Sequence, residues 1–146
     1  MKTERQKEID AFILKDPFTS FLGAKVEILG PGHSRVTLDI KPEMTNFHGV
    51  THGGVIFAIS DMAFAAASNS HGQTAVALDV GINFLKESRP GDRLIAEAKE
   101  EHAGGRTALY EITVKDASTG DLVAKSENRV YRKKDWFIPE QPRTSL

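Results

Sequence analysis

The amino-acid sequence predicts an α+β fold in which a curved antiparallel sheet of about five to six strands wraps one long central helix. Residues 55–67 are apolar except for Ser60 and Asp61, which is the pattern of a helix buried on all sides. Strand-like stretches with alternating apolar and polar residues lie on both sides of this segment, and short turns join consecutive stretches. Short turns favour antiparallel pairing, so the sheet must cover the single long helix.

The predicted elements begin with an amphipathic N-terminal helix over 3–15, whose apolar residues follow the i, i+3, i+4 spacing from Ile9. It ends at Asp16-Pro17, because the residue before a proline is disfavoured in the α region. A short apolar turn follows at 18–22. The tail at about 135–146 has no clear period and is expected to be frayed. The predicted strands are 24–30, 33–40, 74–86, 92–102, 105–117 and 121–133, and the central helix runs from His52 or Gly53 to about Ser70.

Length and composition predict a single domain over 1–146 and exclude several classes of protein. The chain has 146 residues, 40% of them hydrophobic and 27% charged, which is typical of a globular domain. The net charge of -1 gives no general reason to bind nucleic acid, and no apolar run reaches the roughly 18 to 20 residues of a membrane span. The N-terminus lacks the apolar segment of a signal peptide, and with no cysteine there is no disulfide or thiolate nucleophile. We therefore expect a cytoplasmic location.

Asp61 is the only charged residue of the predicted central helix. A buried carboxylate must be paired, hydrogen-bonded or neutralised, or it costs several kcal/mol. One interpretation is structural, with Asp61 capping a neighbouring loop or pairing with a buried Arg or Lys. The other is a catalytic acid, base or nucleophile in a cleft, where such groups have perturbed pKa values.

The start of the same helix reads His52-Gly53-Gly54. Two glycines allow a ligand to approach the backbone closely. The first N–H groups of a helix have no internal partner and lie at the positive end of its dipole, so they suit an oxyanion or a polarised carbonyl oxygen. A tight turn into a buried helix is the alternative explanation of these glycines.

The spacing of Gly53 and Asp61 predicts a dimer if both residues act in catalysis. They are eight residues apart, which is about 12 Å along one helix at roughly 1.5 Å per residue. One carbonyl carbon cannot lie near both groups of the same helix. Two antiparallel helices meeting across a two-fold axis would bring each Gly53 near the other subunit's Asp61, giving two composite sites.

These residues form part of a longer motif that resembles a known family. The segment Asn46-x-His48-Gly49-x-x-His52-Gly53-Gly54, with Asp61 eight residues after Gly53, is similar to the hotdog-fold acyl-CoA thioesterases of the phenylacetic-acid-degradation (PaaI) type. The segments Ile82-x-Phe84-Leu85 and Pro90-Gly91-Asp92 also fit the family pattern. The resemblance covers roughly residues 18–132.

This resemblance implies hydrolysis of an acyl-CoA thioester, with phenylacetyl- or hydroxyphenylacetyl-CoA favoured over medium-chain fatty acyl-CoA. It implies that Asp61 acts as nucleophile or general base, that the Gly53 N–H polarises the carbonyl, and that Asn46 and His52 lie beside it, Asn46 positioning water or substrate. It implies no metal and no cofactor, since CoA is part of the substrate. Family members are dimers, usually paired into homotetramers.

The sequence also offers candidates for substrate contacts. Gly54 would allow close approach to the substrate, and Arg89 near the Pro90-Gly91 turn is the first candidate for a CoA phosphate. Some relatives have a hydroxyl on the strand after the helix, but 75–79 contains none. Large aromatic side chains on a buried helix are more often core than pocket wall. The candidates for the wall of an acyl pocket are Phe47, Phe57, Met62 and Phe64.

Two other functions remain open at this point. One is a hotdog hydratase or dehydratase acting on an enoyl thioester, which pairs a His with an acidic residue. His52 and Asp61 are nine residues apart, so about 13.5 Å in one helix, and could meet only across subunits. The other is a non-catalytic acyl-CoA-binding module. Release of free thiol, addition of water to an enoyl thioester, or binding without turnover would distinguish the three.

Overall fold

The computed structural model describes residues 1–140, and in it a six-stranded antiparallel sheet curls around a 17-residue helix. This confirms the predicted fold class, including the N-terminal helix and the long central helix. The helices are α1 (Glu4–Ile13), α2 (Pro17–Leu22) and α3 (Gly53–Asn69), with a 3₁₀ turn at Pro42–Met44. The strands are β1 (Lys25–Gly30), β2 (His33–Asp39), β3 (Gln73–Phe84), β4 (Arg93–Ala103), β5 (Thr107–Asp116) and β6 (Leu122–Trp136).

The sheet has the strand order β1-β2-β4-β5-β6-β3, with all neighbours antiparallel. Strand β3 therefore lies at one edge, although it comes third in sequence. Helix α3 crosses the concave face and contacts all six strands. The side of α3 that faces the sheet is fully buried at Ile59, Ala63 and Ala67, where small residues allow close packing.

Helix α2 forms where the sequence predicted only a short apolar turn. Asp16 caps it by accepting a hydrogen bond from the Thr19 backbone N–H at 3.3 Å, and Pro17 occupies the first position. Gly23 ends it with a left-handed φ of 81°. An acidic N-cap, a proline at the first position and a terminal glycine are helix signals, so the sequence did contain this element.

The C-terminal segment is ordered further than the frayed tail expected from about residue 135. Strand β6 continues to Trp136, which pairs with Gln73 of β3. The backbone N–H of Phe137 donates to the Gly72 carbonyl at 3.0 Å, and its ring stacks on Phe12 with 4.6 Å between centroids. Contacts distant in sequence hold this segment, so its own pattern could not show them. The rest of the predicted tail, 141–146, lies outside the described residues.

Candidate active site

The N-terminus of α3 presents one free backbone donor. His52 is the N-cap residue, and its Nδ1 accepts the N–H of Gly54 at 2.8 Å. The backbone N–H of His52 donates to the Met44 carbonyl, also at 2.8 Å, which fixes the entry of the chain into the helix. Gly53 is the first helical residue, and within residues 1–140 its N–H has no acceptor. The Gly53 N–H is therefore available to a ligand at the positive end of the helix.

Gly54, which was predicted to contact the substrate, also helps His52 to cap helix α3. Its N–H is already bonded to His52, so it has no donor left for a substrate. A Cβ atom at position 54 would lie 3.0 Å from His52 Nδ1, which is too close without movement of the ring. The glycine thus lets His52 cap the helix.

Asn46 lies in the loop that leads into α3 and is half-buried. Its Oδ1 accepts the backbone N–H of His48 at 2.9 Å, and its own backbone N–H donates to the Val50 carbonyl at 2.9 Å. The side chains of Asn46 and His52 do not hydrogen-bond to each other within the described residues. Each instead organises the backbone close to it, one in the loop and one at the start of the helix.

Asp61 lies on an exposed side of α3, which corrects the expectation of a fully buried carboxylate. The sheet covers the opposite side of the helix, so the apolar neighbours of Asp61 do not bury it. In the part of the chain that is described, Asp61 forms no hydrogen bond or ion pair, and so no basic partner supports the structural interpretation. Its carboxylate lines a cavity of about 730 Å³ between α1, α2, α3 and the end of β6.

The surroundings raise the pKa of Asp61 above the ordinary value of an aspartate. Partial burial against the apolar cavity wall is the larger cause, and the negative charge of Asp16 is the second. The cavity also holds Lys15 and Asp135. A carboxylate with a raised pKa is a stronger base than a solvated one, which suits removal of a proton from water.

Gly53 and Asp61 lie in different depressions of the same chain. Gly53 lines a smaller cavity of about 300 Å³ together with Thr51, Phe84 and Leu85. None of the residues that line this cavity also lines the cavity of Asp61. Since the two positions are about 12 Å apart along α3, a single chain does not bring them to one reacting carbon.

The predicted aromatic wall of an acyl pocket is only partly consistent with the structure. Phe64 is 2% exposed and packs edge-to-face on Tyr110 with 5.7 Å between centroids, so it belongs to the core. Phe47 is 93% exposed and Phe57 is 40% exposed, and neither lines the cavity of Asp61. Met62 does line it. Residue 64 lies on the sheet-facing side of α3, which the all-apolar pattern could not reveal.

Arg89 is exposed and is accessible to a phosphate group. Its guanidinium lies 3.4 Å from a Glu87 carboxylate oxygen in an exposed ion pair. Two other basic side chains already have acidic partners, since Lys86 pairs with Asp121 and Arg132 donates a hydrogen bond to Glu100 at 2.9 Å.

Several polar residues of the Asp61 cavity were missed in the sequence. Thr74 Oγ1 donates to Asp135 Oδ2 at 2.8 Å, so a hydroxyl does line the cavity, one residue before the stretch 75–79. Asn69 Oδ1 accepts the Ala75 backbone N–H at 3.0 Å and ties the end of α3 to β3. These residues come from separate elements of the fold, so the sequence around each of them does not show that they line one cavity. Only Asp16 carried a local signal, as an N-cap residue before Pro17.

Residues 1–140 lack two further features. No helix there is both long and apolar enough to span a membrane. The same residues hold no group of three or more His, Asp or Glu side chains arranged to bind a metal ion.

Comparison with known proteins identifies the family. The thioesterase superfamily model matches residues 48–123, which include the Gly53 and Asp61 positions. The chain belongs to the thioesterase superfamily. It is a thioester hydrolase of the PaaI type, as the motif indicated.

Individual relatives agree with this assignment. The chain is 37% identical over 139 residues to a putative esterase of Archaeoglobus fulgidus, covering 94% of this chain and 90% of the relative. It is 37% identical over 99 residues to the acyl-coenzyme A thioesterase PaaI of Escherichia coli, covering 68% and 71%. The solved structure of the E. coli PaaI protein from the phenylacetic acid degradation operon superposes with a TM-score of 0.86 at 30% identity, covering 90% and 96%. A Streptococcus mutans structure bound to acetyl CoA superposes with 0.71 at 30% identity, covering 75% and 88%.

Replacement of Asp16 is predicted to shift the pH dependence of the activity, because the negative charge of Asp16 contributes to the raised pKa of Asp61. If ionised Asp61 is the active form, activity falls as the pH drops through its pKa. In Asp16→Asn one negative charge is lost, so the pKa of Asp61 is expected to fall and the acidic limb of the rate profile to move to lower pH. Asparagine is also a good N-cap, so α2 should persist. The measurement is kcat/KM against pH, and a limb that does not move would show that Asp16 has no influence on the reacting group.

Proposed function

We propose that this protein hydrolyses acyl-CoA thioesters, with aryl-acetyl groups such as phenylacetyl and hydroxyphenylacetyl favoured. The observation that carries the proposal is that, within residues 1–140, neither the Gly53 N–H at the start of α3 nor the carboxylate of Asp61 two turns further on has a partner. The acyl-CoA class is supported by the E. coli acyl-coenzyme A thioesterase and by the S. mutans structure bound to acetyl CoA. The operon of the E. coli protein suggests phenylacetic acid degradation as the setting.

The proposed reaction needs only a carboxylate and an oxyanion donor. A thioester is already activated and has a good leaving group, so a Ser-His-Asp triad is not required. As a general base, Asp61 takes a proton from water, the water oxygen bonds to the carbonyl carbon, the C–S bond breaks, and the proton passes to the CoA thiolate. As a nucleophile, Asp61 displaces CoA itself, and water then hydrolyses the resulting anhydride. In either case the Gly53 N–H stabilises the negative carbonyl oxygen.

The supporting residues have defined parts in this proposal. His52 caps α3 through Gly54 and so keeps the Gly53 N–H directed outward. Asn46, in the loop before the helix, positions the attacking water or the substrate, and Arg89 contacts a CoA phosphate. No metal or further cofactor takes part, since every step uses groups of the chain, the substrate and water.

The proposed site is shared between two subunits. Among the described residues, strand β3 is paired on one side only, and exposed apolar side chains lie on it, directly after it and on α3. Exposed apolar patches of this kind mark association surfaces. Two copies related by a two-fold axis there would place the α3 helices antiparallel, with each Gly53 near the other subunit's Asp61. A pair of such dimers would give a homotetramer. The exposed apolar residues are Phe57 (40%), Val76 (39%), Leu78 (54%), Phe84 (52%) and Leu85 (56%).

The experiment that tests the proposed function is thiol release from a panel of aryl-acetyl-, fatty acyl- and enoyl-CoA esters. The chain has no cysteine, so a chromogenic thiol reagent reports only CoA. We expect turnover, with the highest kcat/KM on phenylacetyl or hydroxyphenylacetyl esters. Binding without thiol release would support a binding module instead, and hydration of the enoyl ester without thiol release would support a hydratase.

A further inference from the structure

Helix α1 meets the segment at the end of β6, residues 136–139, and together they form part of the wall of the cavity that holds Asp61. Arg5 of α1 donates to the Pro139 carbonyl at 3.0 Å, and its guanidinium lies over the Trp136 ring at 5.7 Å. About two turns further along α1, on the same side of the helix, Phe12 stacks on Phe137, with centroids 4.6 Å apart and planes inclined by 20°. Both rings line the cavity. This part of the cavity wall is therefore built by long-range contacts that hold an aromatic pair in place.

The cavity runs along α3, away from Asp61 toward the C-terminal end of the helix. Asp61, Ala65 and Asn69 all line it, at i, i+4 and i+8, so it extends for about 12 Å beside the helix. Ala58, Ala65 and Ala66 leave space there because their side chains are short. A cavity of about 730 Å³ with mainly apolar walls and a few polar groups is typical of a small-molecule site.

We propose that the acyl group of the thioester lies in this cavity and that Phe12 and Phe137 determine which acyl groups are preferred. The inference rests on the proposed function, because the reacting carbonyl must lie about 3 Å from the carboxylate of Asp61. The acyl group then extends into the space beside that carboxylate, and the CoA part points toward the partner's helix start. Since Phe12 and Phe137 form a stacked aromatic pair, the ring of an aryl-acetyl group can stack against them in turn.

The test compares two exposed apolar residues at the end of α1. Phe12 is 52% exposed and lines the cavity, whereas Leu14 is 51% exposed and does not. Phe12→Leu keeps an apolar side chain but removes the ring. We expect it to raise KM for phenylacetyl-CoA by about 3- to 10-fold, the value of one aromatic contact, and to change KM for acetyl-CoA less, because an acetyl group has no ring to stack on Phe12. Leu14→Ala is expected to change neither ester.

Phe137→Leu gives an independent second variant, in the segment after β6, and it should show the same larger loss on the aryl ester. The proposal is overturned if both Phe variants behave as Leu14→Ala does, or if they reduce acetyl-CoA and phenylacetyl-CoA hydrolysis equally. Failure of the proposed function looks different, since the wild-type protein itself would then release no thiol from any ester, whatever happens at Phe12.

Discussion

Replacement of Asp61 by asparagine is expected to lower kcat by about 10²- to 10⁴-fold on the best ester, the usual contribution of a positioned general base. Asparagine has the same shape but neither accepts the proton of water nor attacks the carbonyl. KM should change little, because the side chain lines the cavity without a hydrogen bond in the described protomer. Thiol release measures both parameters. Asp39→Asn is the matched control, since Asp39 is an exposed aspartate that pairs with Arg93 at 2.7 Å and lines neither cavity.

The same variant separates a catalytic role from a structural one. The pKa of Asp61 is raised in the folded protein, so ionisation is easier in the unfolded chain and the charged carboxylate disfavours folding. This penalty is present at neutral pH and vanishes below the unfolded pKa of about 3.9. Asp61→Asn should therefore unfold at the same or a higher temperature at pH 7. An inactive variant that also lost stability would mean that Asp61 holds the fold together.

Replacement of Gly53 by proline is expected to lower kcat by about 10²- to 10³-fold, the cost of removing one oxyanion donor. The substitution deletes the N–H at the first position of α3, where proline is favoured and no helical hydrogen bond is lost. The preceding residue, His52, has φ −60° and ψ 133°, which is the conformation that a following proline requires. Helix α3 should therefore remain intact, and circular dichroism checks this.

Gly53→Ala is the control for the proline variant, because it retains the N–H. A Cβ atom at position 53 would lie 3.6 Å from the Phe84 ring, an ordinary contact. The alanine variant should therefore keep most of the activity. Equal losses in the two variants would show that space at position 53 matters and that the N–H does not.

Local patterns were sufficient for most of the fold. The all-apolar run at 55–67 predicted α3, and alternation at residues such as Val36 and Leu38 predicted the strands. The strand order was not accessible, because β3 pairs with β6 across some 50 residues of chain, and no local pattern encodes that pairing. Helix α2 was recognisable from Asp16-Pro17 and Gly23, but an apolar turn was the simpler reading of its four central residues.

Less of the candidate site than of the fold could be predicted from the sequence. The residue types of Gly53 and Asp61 predicted their chemistry, but the all-apolar helix concealed which side faces the sheet. Asp61 therefore proved exposed, and Phe64, three residues later, proved buried. The side of α3 that the sheet leaves uncovered has the same kinds of apolar residues as the side that packs against the sheet. Composition therefore could not distinguish the two sides. Of the wall of the acyl cavity only Met62 was predicted, because Phe12 and Phe137 meet only in the folded chain.

Subunit complementation tests the central claim that Gly53 of one subunit and Asp61 of another form one site. Asp61→Asn and Gly53→Pro are co-expressed in equal amounts, and thiol release is compared with each variant alone. If sites are shared, a mixed dimer has one site with both lesions and one intact site. Random assortment should then restore about one quarter of the wild-type activity. If activity stays at the level of the single variants, both residues act within one chain or one of them does not act at all, and the composite site is contradicted.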